Sequence, residues 1–133
     1  MVTQVQTAAT GTVRWTSGIN AVLGIWLILA PFILGYSNLT PAVWNDIVVG
    51  ILIVALAGTR VSKPTRYEAA SWTNAGIGAW LIAAPFILPY DTTPALGANV
   101  GAAFWNDIIV GLIVLILAVA SAMATRRATT TRV

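Results

Sequence analysis

Two blocks of sequence occur twice, and this repeat constrains the fold more than any other feature of the chain. The first reads Trp26-Leu27-Ile28-Leu29-Ala30-Pro31-Phe32-Ile33-Leu34 and returns as Trp80-Leu81-Ile82-Ala83-Ala84-Pro85-Phe86-Ile87-Leu88. The second reads Trp44-Asn45-Asp46-Ile47-Val48-Val49-Gly50 and returns as Trp105-Asn106-Asp107-Ile108-Ile109-Val110-Gly111. Each block belongs to a long apolar run, and each pair of runs is joined by a polar loop. The unit that repeats is therefore a helical hairpin. The first block recurs at an offset of 54, which also matches Asn20 with Asn74 and Tyr36 with Tyr90; the second recurs at 61, so the second loop is longer by seven residues.

A soluble domain carries about 25% charged residues. Here 8% are charged and 58% hydrophobic, with no Cys and no His. Water is not the main solvent for such a chain. Disulfides, thiolate chemistry, imidazole ligands and the commonest general base are excluded together. No basic block with interleaved aromatics suggests a nucleic-acid surface.

Residues 1–14, rich in Thr, Gln and Ala, read as an exposed tail. The first apolar segment, about Trp15 to Leu34, is about 20 residues, which rise about 30 Å as a helix and match the hydrocarbon core. It is expected to be retained rather than cleaved as a signal, because its twin lies inside the chain. Pro31 removes one helical amide, so the helix should either continue with a kink or bend into an interfacial segment ending at Tyr36, a residue suited to the aromatic belt. The second segment starts at Trp44-Asn45-Asp46 and ends at Thr59-Arg60, with Trp44 and Arg60 expected at opposite interfaces. The third runs from Trp72 to Leu88 with Pro85 inside it, and the fourth from Phe104 to Met123. The first hairpin and its connector occupy residues 1–66, and the second hairpin with a basic tail occupies 67–133.

All seven Lys and Arg residues lie at the two ends of the chain or between residues 60 and 66, while Asp46, Asp91 and Asp107 sit at the other loops. Cytoplasmic loops carry the Lys/Arg excess. Both termini are thus expected inside, with four crossings. Two hairpins in the same orientation are related by a pseudo-twofold along the membrane normal. The expected class is all-α: an integral membrane protein of four transmembrane helices in two tandem hairpins.

The Trp-led helix ending in small residue–Pro–aromatic, followed by Trp-Asn-Asp-Ile-x-x-Gly, resembles the SPW-repeat family of membrane proteins. The name-giving Ser-Pro-Trp is replaced here by Ala30-Pro31-Phe32 and Ala84-Pro85-Phe86. The resemblance implies a small multi-pass protein of a prokaryotic cytoplasmic membrane and transfers no catalytic residues.

Asp46 and Asp107 are the sharpest chemical feature. They read either as helix caps at the interface or as an ion or proton site, the first being preferred. Each shares a helix face with a glycine four residues on, Gly50 or Gly111, which lets another backbone approach, so each Asp should face the bundle. Asn20 and Asn74 either pair across the twofold or are solvated at the interface. Trp26 and Trp80 need partners for their indole N–H groups, for which the carbonyls freed by Pro31 and Pro85 are candidates. No cofactor or metal site and no enzyme signature is legible. The preferred role is a structural or assembly protein in the bilayer, packing on itself as a homo-oligomer or on a larger membrane complex. The alternatives are an ion or proton transporter using Asp46 and Asp107, and a binder of a flat apolar ligand or lipid.

Overall fold

The computed structural model describes residues 2–62, 68–90 and 98–131. They form four helices: α1 (Val2–Ile33), α2 (Thr40–Ser62), α3 (Glu68–Ile87) and α4 (Val100–Thr131). There is no strand among the described residues. The 66/67 boundary, Lys63, Arg66, Asp91 and Arg132 lie outside them. α1 packs on α2 and α3 on α4, and α1 also packs closely on α4, whereas α2 and α3 touch less.

α1, α2 and α4 are each long and apolar enough to cross a membrane. α3 is the shortest and carries Glu68, Thr73 and Asn74, and it does not reach the same apolarity. Its twenty residues nevertheless rise about 30 Å. The outer faces of the helices are apolar: Val22, Ile25, Ile51, Ile109 and Ile116 are all exposed, as side chains facing lipid would be.

Each hairpin is held tight by one glycine crossing. A Cβ built on Gly50 would stand 2.6 Å from the Gly24 carbonyl oxygen, and one on Gly111 would stand 2.7 Å from that of Gly78. Only glycine lets the backbones approach this far. Directly below lies the apolar layer of Leu27, Val49, Ile53, Leu81, Val110 and Val114, drawn from all four helices.

The two chain ends correct the sequence reading. The exposed tail expected over residues 1–14 is helical from Val2, and the basic tail after Met123 continues α4 to Thr131. Ala9, Val13 and Thr16 are buried in α1, and Ala122, Thr125 and Ala128 in α4. Small side chains let these extensions pack on each other without an apolar period that would announce it. Pro31 and Pro85 both lie inside their helices, which run on to Ile33 and Ile87.

The helix starts are also corrected. α2 begins at Thr40 with Pro41 in its first turn, where a missing amide costs little, so Asn45 and Asp46 stand more than one turn inside it. In α4 the capping side chain is Asn99, whose Oδ1 accepts from the Ala102 amide at 3.1 Å. The expected caps at Asp46 and Asp107 are absent because both helices start earlier.

Candidate functional site

The two loops deliver their tyrosines by different turns. After α1 the Leu34 amide donates to the Ala30 carbonyl and the Tyr36 amide to that of Pro31, with Gly35 at φ 79°. This is the left-handed glycine turn that commonly ends helices. The second repeat has Pro89 where the first has Gly35, and proline cannot adopt that conformation. There the Tyr90 amide donates to the Leu88 carbonyl. Both routes return the ring to the bundle: Tyr36 is fully buried and Tyr90 nearly so.

Around these rings lies a polar network built from both repeats. The Tyr36 hydroxyl donates to Asp46 Oδ2 at 2.6 Å, and the Tyr90 hydroxyl to Asp107 Oδ2 at 2.5 Å. Asn106 Nδ2 donates to the Tyr36 oxygen at 3.0 Å, and Asn45 Nδ2 to the Tyr90 oxygen at 3.2 Å. The Trp26 indole donates to Asn106 Oδ1 and the Trp80 indole to Asn45 Oδ1, both at 2.9 Å. Every one of these bonds has its twin, as a pseudo-twofold requires. One further bond, Asn45 Nδ2 to Asp107 Oδ2 at 3.2 Å, joins the halves directly.

Asp46 and Asp107 are wholly inaccessible. Each keeps one oxygen, Oδ1, that is buried and accepts no hydrogen bond. The Tyr36 and Tyr90 hydroxyls, in the loops, are held well above the usual tyrosine range. Burial is the main cause, followed by the charge of Asp46 on Tyr36 and of Asp107 on Tyr90. They are donors here, not acids.

This duplicated geometry coincides with a family assignment, since the SPW repeat domain matches residues 14–121. The chain belongs to the SPW repeat family. Comparison with curated proteins and with solved structures found no match. In this SPW repeat protein the Trp-Asn-Asp block is the core of the network. The tryptophan that opens each block, Trp44 or Trp105, faces outward, while the Asn and Asp behind it turn in.

Several expectations from sequence are revised. The indoles of Trp26 and Trp80 find Asn106 and Asn45, not the carbonyls freed by the prolines, because a side-chain amide from the other hairpin lies within reach. Tyr36 is not an aromatic-belt residue; the turn at Gly35 folds it inward. Asn20 and Asn74 are both buried, yet neither Oδ1 accepts a hydrogen bond, so the amides do not satisfy each other. Arg60, near the end of α2, turns into the bundle and does not reach outward. It is 2% exposed, with Nη2 donating to Thr125 Oγ1 at 2.5 Å and with Nε and Nη1 unpartnered.

The tyrosines were missed as partners of the carboxylates. Their signal was present, since Tyr36 and Tyr90 recur at the offset that pairs the two tryptophans. Among the described residues no group of three or more metal-ligating side chains comes together.

Proposed function

We propose that the protein is a structural membrane subunit, in which the polar network is a clasp between two hairpins and not a transport path. The carrying observation is that the donors of the six network side chains Trp26, Trp80, Tyr36, Tyr90, Asn45 and Asn106 are bonded inside the network, mostly across the hairpins. Buried polar groups bonded in this way rigidify a core and specify one arrangement, and here only Oδ1 of Asp46 and of Asp107 stands outside the bonding. The lipid-facing surface remains free for a second copy or a larger membrane complex. Four crossings with both termini on the cytoplasmic side of a prokaryotic inner membrane complete the reading. It rests on the distribution of basic residues and on the length of α3. No catalytic role is assigned to any residue.

A second reading, a proton or cation site, draws on the paired carboxyls and their two unpartnered oxygens. Replacing both Asp46 and Asp107 by Asn separates the two. Asn keeps an oxygen for each tyrosine, and its amide can donate to the formerly unpartnered neighbour. The clasp reading expects unfolding stability within about 1 kcal/mol of wild type and no cation or proton flux in proteoliposomes of either protein. Flux in the wild type that disappears in the double variant would overturn it.

A further inference from the structure

The two seams between the hairpins differ in a way that the repeat does not require. On the α1–α4 side a groove of about 340 Å³ is lined by Trp26, Leu34, Trp105, Asn106 and Ile109, among others. On the α2–α3 side the equivalent residues line a groove of about 730 Å³ that continues down to Leu52, Thr73, Gly76 and Ile77. The first-repeat counterparts of Thr73 and Gly76 are Ile19 and Val22. Two larger β-branched side chains thus stand where the second repeat has a hydroxyl side chain and none at all. A Cβ at Gly76 would meet no atom within 4 Å, so the space there is open.

From Pro41 to Leu52 the groove follows eleven steps along the helix, about 16 Å at 1.5 Å each. That is the depth of one leaflet, half of a hydrocarbon core of about 30 Å. Apart from the Trp44 indole N–H at its loop end, its polar side chains are already engaged. Asn45 Oδ1 accepts from Trp80, Asn45 Nδ2 donates to Tyr90 and Asp107, and Thr73 Oγ1 donates to the Ala69 carbonyl. A ligand with a carbonyl or hydroxyl head would find none of these groups free. A rigid helix of a second copy, about 10–12 Å wide with its side chains, would meet the indoles of Trp44 and Trp80 in the same groove, whereas a thin flexible chain passes beside them.

We propose that the α2–α3 groove holds one acyl chain of a bilayer lipid, from the leaflet on the Trp44 side. The site is a lipid-retaining slot, about twice the volume of its counterpart on the α1–α4 seam. It does not depend on the clasp reading, because none of the clasp bonds needs to change for the groove to be filled or empty.

The test uses the full chain in nanodiscs of phosphatidylcholine doped with a phosphatidylcholine whose acyl chain carries a diazirine. After photolysis, adducts are mapped by mass spectrometry. In the wild type, adducts should concentrate on Val48, Leu52 and Ile77 relative to Ile109, Ile113 and Leu23, their counterparts on the other seam. The variant Thr73→Ile/Gly76→Val installs the first repeat's own side chains. It should lower groove adducts by about tenfold, roughly the loss of two buried methylenes, and leave labelling of Ile109 and Ile116 unchanged. Gly76→Ala, which adds one methyl into open space, keeps the test available if the double variant does not fold, and it should give an intermediate drop. Equal labelling of the two seams in the wild type, or no change in either variant, overturns the proposal. Absence of lipid adducts at Leu52 and Ile77 in nanodiscs that hold two copies of the chain also overturns it, by naming a second copy as the occupant.

Discussion

At the loop end of the bundle the two repeats agree almost bond for bond; at the opposite end they part. Ser71 and Ser121 bond at 3.0 Å in the second hairpin. Their first-repeat counterparts are Ser17 and Arg60, so a guanidinium stands where a hydroxyl would complete the twin. Arg60 reaches across to Thr125 instead and leaves two guanidinium nitrogens, Nε and Nη1, unpaired. The difference teaches where the repeat is constrained. In the clasp each side chain belongs to a bonded cluster drawn from both hairpins, so changing one strands a partner. At the serine end a single bond is at stake, and the positions are free to differ.

The strongest challenge to this comparison is at the glycine crossings, where the two hairpins should respond alike. Gly50→Ala and Gly111→Ala each place a Cβ under 3 Å from a backbone oxygen, which no rotamer change relieves. Each should cost about 3 kcal/mol, the upper range for overpacking, read as a shift in denaturant unfolding of the purified protein. A large effect at one crossing only would show that the hairpins are not equivalent.

Next come the tyrosines. Tyr36→Phe leaves Asp46 Oδ2 without its buried donor, and Tyr90→Phe removes one donor from Asp107. A loss of about 1–3 kcal/mol is expected for stranding a buried acceptor, somewhat less for Tyr90 because Asn45 still donates to Asp107. A double-mutant cycle between Tyr36→Phe and Asn106→Ala should give clear coupling, which a set of independent contacts would not.

At the divergent end the sign should reverse. Arg60→Met keeps most of the buried volume and removes two unpaired guanidinium nitrogens. Unfolding stability should be unchanged or higher, by about 1 kcal/mol or more, as when buried ions give way to apolar side chains. A loss of several kcal/mol would mean that the guanidinium is held by partners the comparison ignores.

The smallest expected effect is the pH response of the loops. The Tyr36 and Tyr90 hydroxyls lie above their unfolded range of about 10, so the unfolded chain releases these protons first as pH rises. Their contribution is therefore complete below about pH 10 and declines above it. Tyrosinate absorbance should appear late in the folded protein, and stability should fall more steeply above pH 10 in the wild type than in Tyr36→Phe/Tyr90→Phe.

The sequence by itself determined that this chain is two copies of a membrane hairpin. Offsets of matching Trp, Pro, Asp and Gly survive any rearrangement of side chains, and an apolar run of membrane length states its solvent directly. It also placed Gly50 and Gly111 on the faces of the two Asp residues, since helical spacing is local. It could not place the helix ends, because Thr40-Pro41 and the small residues before Trp15 carry no apolar period. Only the tertiary structure decided that Asp46 and Asp107 each meet a tyrosine inside the bundle, that Arg60 is buried, and that one seam is more open than the other. Those outcomes depend on which side chain of one hairpin lies opposite which of the other, and no spacing along a single chain contains that register.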